Sequence, residues 1–364
     1  MKIKEITNYL ESLAPISSQE SYDNCGLIVG DSSKKCTKTL ISLDCIEETV
    51  DEAIENGCNL IIAHHPIVFS GLKKLTGKNY IERTVIKAIK NDIAIYAIHT
   101  NFDNYILGVN DEIGDRLGIV NRKILSPKKN SLLKLVCFVP QNELEIVSQA
   151  MYSAGAGTIG DYSECSFGTV GTGTFKPGAN ADPFEGKVGE LSVAQEVRFE
   201  VLVSEHRIQA VIRAMKENHS YEEVAHEIYP ILNENQSEGA GMIGELPQEM
   251  DTIDFLTELK EKFNCGIIRH TKITSKTVKK IAYCGGSGSF LLGEAKKNKA
   301  DLFITGDFKY HEFFDAENDI IIADIGHFES EQYTSHRIER ILTGKFTNFA
   351  VRLTEVSTNP IKYF

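Results

Sequence analysis

The sequence predicts an α/β protein with a mostly parallel sheet covered by helices on both faces, interrupted by a ferredoxin-like α+β insert. Three observations carry this. Short continuous apolar runs alternate with helical stretches in the first third, and the same rhythm returns in the last third. Between them lie glycine-punctuated strands in a β-α-β-β-α-β order.

Taken in order, "YDNCGLIVG" from Tyr22 to Gly30 reads as a turn leading into a strand. It is followed by strand "TLISLDC", helix "IEETVDEAIENG", strand "NLIIAHHP", helix "YIERTVIKAIKN" and strand "IAIYAIHTNFD". The strand runs are apolar without alternation, as strands buried on both faces should be. The middle opens with strand "LLKLVCFVP" and helix "NELEIVSQAMYSAG", with Asn142 at its cap and Glu145 three residues on. Strands "YSECSFGTVGTGTFKPG" and "VRFEVLVSE", helix "HRIQAVIRAMKENH" and strand "EEVAHEIYPIL" complete the insert, placed at 127–245. Residues 1–126 and 246–364 then form one discontinuous domain, whose second half continues through "VKKIAYCGGSG", "ADLFITGD", "DIIIADIGHFESEQ" and "FAVRLTEVST".

A chain of 364 residues is long enough for two domains, and 42% apolar with 25% charged residues is ordinary globular usage. The formal charge of −12, with no long basic run, argues against a nonspecific duplex DNA binder and against nucleic-acid partners generally. A phosphorylated small molecule needs only a local positive site or a metal. The charged opening "MKIKEITNYLESLAP" and the absence of a long apolar run predict a cytoplasmic protein with no membrane partner. Eight cysteines without a Cys-x-x-Cys pair argue against a zinc ribbon or thioredoxin motif, and most read as buried thiols.

The chemistry concentrates at strand ends. His64 and His65 follow "NLIIA" and precede Pro66, which cannot continue a hydrogen-bond ladder. The strand "IAIYAIH" ends at His99 and runs on to Asp103, while "IIIADI" leads to His327 and Glu331, an i, i+4 pair if a helix starts there. Carboxyl ends of strands are where open α/β sheets bind ligands. Each residue alone has an ordinary explanation as a surface or structural side chain. Three imidazoles and two carboxylates converging together suit a pair of borderline divalent ions such as zinc, iron, manganese or cobalt, with open positions for water or substrate.

His99, Asp307 and His311 lie near the same predicted edge and are candidates for orienting a ligand or moving a proton, although Asp307 could equally cap a helix. "CGGSGSFLL" lacks the Gly-Lys-Ser/Thr ending of a P-loop and reads as a tight turn. "GTVGTGTFKPG" reads as a hairpin, and His219 with Tyr221 as structural residues after a helix.

The motifs "YDNCGLIVG", "AHHP", "HTNFD", "CGGSG", "TGDFKYH" and "GHFESE" stand in the order found in the Nif-three-like dinuclear metal-centre family, also known as type 2 homologues of GTP cyclohydrolase I. The resemblance spans nearly the whole chain. It implies metal ligands at His64, His65, Asp103, His327 and Glu331, two divalent ions per chain, an inserted domain similar to PII and copper-tolerance proteins, and a ring-like homohexamer. Tyr22 stands where the family often has tryptophan. The expected function is a metal-dependent hydrolase acting on a nucleotide, as a GTP cyclohydrolase would, or on another phosphorylated small molecule. The competing expectation is a metal-holding regulatory or adaptor protein whose insert binds a ligand or partner.

Overall fold

The computed structural model describes residues 1–364, which divide into two compact units: Met1–Pro127 with Ser237–Phe364, and Lys128–Gln236. The chain re-enters the first unit at Ser237 rather than at 246, because Met242–Glu245 already pair with Lys280–Tyr283.

The first segment contains α1 (Ile3–Leu13), β1 (Gly26–Val29), β2 (Thr39–Ser42), α2 (Glu47–Glu55), β3 (Leu60–Ala63), α3 (Tyr80–Lys90), β4 (Ala94–Ala97), α4 (Thr100–Asp103), α5 (Val109–Leu117) and β5 (Val120–Lys128). The insert contributes β6 (Leu132–Pro140), α6 (Leu144–Ser153), β7 (Ser166–Phe175), β8 (Ser192–Ser204), α7 (Ile208–Glu217) and β9 (His226–Pro230). The chain ends with β10 (Asn235–Asp251), α8 (Thr252–Lys262), β11 (Arg269–His270), β12 (Thr277–Ser287), α9 (Leu292–Lys297), β13 (Leu302–Gly306), β14 (Ile321–Asp324), α10 (His327–Glu331), α11 (Thr334–Lys345) and β15 (Val351–Leu353).

The parallel strands of the first unit are shared between two sheets. One has the order β1-β4-β3-β2-β15 and is parallel except for β1; the other runs β11-β14-β13-β12-β10-β5, with β12, β13 and β14 parallel. Side chains alternate across each strand. Leu60 and Ile62 of β3 join a core with Ile281, Ile304 and Ala323 of the second sheet and with α1, α5, α8 and α11, while Ile61 and Ala63 pack with Val50, Val85 and Ala88 of α2 and α3. Phe303 and Ile322 face Leu292 and Ala295 of α9. Burial on both faces explains the unbroken apolar runs. It also leaves the strand ends as the places where polar groups can gather.

The insert is an antiparallel sheet of order β7-β8-β6-β9, the ferredoxin-like arrangement. Alternate residues Leu135, Cys137 and Val139 of β6 and Phe199, Val201 and Val203 of β8 pack on Val147 and Met151 of α6 and Val211 and Met215 of α7. Glu143, not Asn142, precedes α6, and the glycines of "GTVGTGTFKPG" lie within the single strand β7, which forms one arm of the β7–β8 hairpin. No helix is long and apolar enough to cross a membrane.

Candidate metal centre

Strands β2, β3 and β4 of one sheet and β12, β13 and β14 of the other end around a cavity of about 540 Å3. Asp44 follows β2, His64 and His65 follow β3, and His99 and Asp103 follow β4; Asp307 follows β13, and His327 and Glu331 occupy the two ends of α10 after β14. The i, i+4 spacing on α10 brings His327 Nε2 to 3.0 Å from Glu331 Oε2.

Each imidazole is held by its Nδ1. His64, fully buried, donates to the Ile98 carbonyl at 2.8 Å; His65 donates to Asp44 Oδ1 at 2.7 Å, His99 to Asp23 Oδ1 at 2.8 Å and His327 to Asp307 Oδ2 at 2.7 Å. Acceptors that carry no proton fix the tautomer, so the Nε2 atoms are the ones presented to a ligand. His64 Nε2 lies 3.5 Å from Asp103 Oδ1 and 3.9 Å from Glu331 Oε1, and both His64 Nε2 and Asp103 Oδ1 are sealed from solvent without a hydrogen bond. His65 Nε2 lies 3.0 Å from Glu331 Oε2 and 3.3 Å from His327 Nε2.

These atoms form one group from His64, Asp103 and Glu331 and a second from His65, His327 and Glu331; a third joins His64, His65 and His99. Within each group the ligand atoms lie within 4.8 Å of one another. Lone pairs facing lone pairs in a buried site require positive charge between them. The electrostatics agree: against the opposing effect of burial, Asp44 and Glu331 push His65 up to about 10, and Glu331, then Asp307, push His327 up to about 11. Burial raises Asp103, whereas His327, His64 and His65 overcome burial at Glu331 and hold it well below the usual carboxylate range. Two imidazoles and a carboxylate, or one imidazole and two carboxylates, suit a borderline divalent cation.

The backbone makes room for Glu331. Gly286 has φ +61°, and a Cβ there would stand 2.3 Å from Glu331 Oε1. The amides of Gly285 and Gly286 are taken by Asn110 Oδ1 and Ser330 Oγ at 3.0 and 2.9 Å, so "CGGSG" shapes the site without offering those amides to an anion. Asp307 also sits in the left-handed region, at φ 59°, and its carboxylate orients His327 instead of capping a helix.

Of the candidates read from the sequence, His64, His65, His99, Asp103, Asp307, His327 and Glu331 come together. His311 does not: it lies exposed on the turn 310–316, with Tyr310 and Phe314 as its ring neighbours, because the chain leaves the edge after Asp307. Sequence reasoning passed over Asp23 and Asp44. Asp44 stands two residues beyond β2 in "TLISLDC", and Asp23 lies in the quoted "YDNCG"; a carboxylate near a strand of the same sheet was the available signal. In the insert, His219 is satisfied structurally, donating from Nε2 to the Phe138 carbonyl at 3.0 Å and accepting from the Tyr221 amide at 3.1 Å.

Fold and site together define an α/β protein whose strand ends assemble histidine–carboxylate clusters able to hold metal ions. Comparison with known proteins places it more closely. The chain belongs to the Duf34/NIF3 (NGG1p interacting factor 3) family, whose model matches residues 1–360. It is 37% identical over 363 residues to the "GTP cyclohydrolase 1 type 2 homolog" of Halalkalibacterium halodurans, covering 98% of both chains. It is also 37% identical over 366 residues to the protein of that name from Bacillus subtilis, covering 99% of this chain and 98% of the relative. Among solved structures, a Bacillus cereus protein related to NIF3 superposes with a TM-score of 0.87 at 36% identity, over 100% of this chain and 99% of the other. A Staphylococcus aureus protein superposes with a TM-score of 0.78 at 28% identity over the same shares.

Proposed function

We propose that the protein is a metal-dependent hydrolase that holds two divalent ions and acts on a nucleotide or another phosphorylated small molecule. The observation that carries this reading is the sharing of Glu331, whose Oε1 faces His64 while its Oε2 faces His65 and His327. His64 and Asp103 would hold one ion with Oε1, and His65 and His327 the other with Oε2. Bound metal would supply an acidified water and polarise the bond under attack.

The chain's own groups do the rest. Asp44 and Asp307 fix the rings of His65 and His327, so that both Nε2 atoms stay aimed inward. His99, oriented by Asp23, presents Nε2 for proton transfer to or from a reacting group; Thr100 in turn donates to Asp23 from its amide at 3.0 Å. Tyr22 and Phe69, with ring centroids 6.1 Å apart, and Phe290 offer flat surfaces around the cavity that suit a base. Neither lysine nor arginine lines it, so a phosphate would rely on the ions for charge compensation. The names of the relatives, GTP cyclohydrolase 1 type 2 homologues, support a purine nucleotide as the first substrate to try.

The test is metal content per chain in protein prepared without an affinity tag or chelator, beside His64→Ala and Asp103→Ala variants, followed by a nucleotide and phosphoester panel. The expected result is close to two ions in the parent, fewer in both folded variants, and turnover that follows metal content. No bound metal after reconstitution overturns the reading. Metal without any turnover favours the second reading, a metal-holding regulatory protein, which draws its support from a separate cavity in the insert. Sedimentation of the same preparation tests the homohexamer.

A further inference from the structure

The unit Lys128–Gln236 contains its own cavity, of about 470 Å3. It is walled by the end of β7, the segment that follows it, and the turn 221–225, with Phe138 from β6 and Glu196 from β8. Its aromatic groups are Phe138, Phe175, Phe184 and Tyr221; the Tyr221 ring lies 6.3 Å from Phe175 and 6.4 Å from Phe184. Four carboxylates, those of Glu185, Glu196, Glu222 and Glu223, face a single lysine, Lys176.

Glu196 is the informative residue. It is only 9% exposed, lines the cavity and forms no ion pair. Space for its carboxylate comes from Gly173 on the neighbouring strand, where a Cβ would stand 2.1 Å from Glu196 Oε2. The Tyr221 hydroxyl beside it is shut off from solvent without a well-formed hydrogen bond. Burial, and then Glu196 and Glu185, push that hydroxyl up to about 12, in keeping with a negative potential inside the cavity. A buried carboxylate without a cation is costly, and a protein that keeps one has a partner for it to meet.

We propose that this cavity binds a small organic cation, an ammonium or guanidinium group carried on an apolar body. Aromatic faces attract cations through their quadrupoles, the carboxylate of Glu196 neutralises the charge, and the volume lies in the range of small-molecule sites. Phosphorylated and carboxylated ligands are disfavoured by the same carboxylates. A bare metal ion is disfavoured because the clusters of metal-ligating atoms all lie in the first unit. The wall is also tied in place, since Glu222 accepts from the Asp182 amide at 3.2 Å.

Calorimetric titration of the full-length protein tests this with three probes, phenethylamine, agmatine and choline, beside the uncharged 2-phenylethanol. At least one cation is expected to bind once per chain, with 2-phenylethanol silent, and to weaken roughly tenfold or more in Glu196→Gln. Phe175→Leu should weaken it less, and Asp103→Ala should not move it. Glu185→Gln, on the same wall, provides a second charge deletion if Glu196→Gln fails to fold, and should weaken binding in the same direction. Failure of all three cations in the folded parent, binding undiminished by the charge deletions, or uptake of calcium ions without any amine would overturn the proposal.

Discussion

The two cavities of this chain treat buried negative charge in opposite ways. In the first unit the carboxylates of the ligand groups meet imidazoles: Glu331 sits between His64, His65 and His327, and Asp103 faces His64. The imidazoles are themselves held from behind, by Asp23, Asp44, Asp307 and the Ile98 carbonyl. In the insert Glu196 is also buried, yet it meets phenyl rings and a tyrosine hydroxyl instead of a base. The first arrangement has the ligand set of a metal site, fixed in direction and rich in nitrogen. The second has the features of a receptor for a diffuse cation, with a charge at the bottom and soft walls.

This contrast can be broken most sharply at Glu331. Glu331→Gln should empty both ligand groups at once, lowering metal content below one ion per chain by elemental analysis and reducing any turnover by roughly a thousandfold. Retention of the parental metal content would mean that the two groups do not depend on one shared carboxylate. Next in size is Gly286→Ala. The new methyl meets Glu331 at a backbone angle that favours glycine, so we expect a loss of about 1–3 kcal/mol in denaturant unfolding together with reduced metal uptake.

Asp44→Asn tests the support from behind. It keeps shape but removes the carboxylate from His65 Nδ1, and should weaken metal binding about 10- to 100-fold by competition with a chelating dye while leaving the fold intact. The smallest effect is expected in the insert, and it carries the opposite sign. Glu196→Gln removes an uncompensated buried charge, so the thermal midpoint without added amine should stay the same or rise by about a degree or more. A clear fall would indicate that Glu196 stabilises the insert itself and would narrow the difference between the cavities.

Much of the first cavity was legible in the sequence because its residues sit where strands end, and strand ends can be read from apolar runs and a proline. His64, His65 and Asp103 were placed by that reasoning, and His327 with Glu331 by helical spacing. Of the supporting carboxylates Asp307 was a candidate, but Asp44 and Asp23 were not, because Asp44 meets His65 across 21 residues and Asp23 meets His99 across 76, and no local periodicity records such pairings. His311 illustrates the converse error. Proximity to Asp307 along the chain suggested proximity in space, but the turn after Asp307 carries it outward. The parallel rhythm identified α/β architecture without revealing that its strands split into two sheets, since rhythm reports connection and not pairing. The return boundary was placed late for a related reason: the glycine-rich start of β10 resembles a linker until its ladder with β12 is seen.

The discontinuity of the first unit gives its site an order of assembly. His65 and Glu331 are 266 residues apart, and β15, which pairs with β2 in the first sheet, follows Glu331 in the chain. During synthesis the histidine pair therefore emerges long before its carboxylate, while all four strands of the contiguous insert have already left the ribosome. A nascent chain thus carries His64, His65 and His99 with Asp103, Asp44 and Asp23 already beside them, but without Glu331 and His327, which complete both ligand groups. A chain truncated anywhere before Glu331 would keep the early histidines and lack the carboxylate that lies between the two ligand groups.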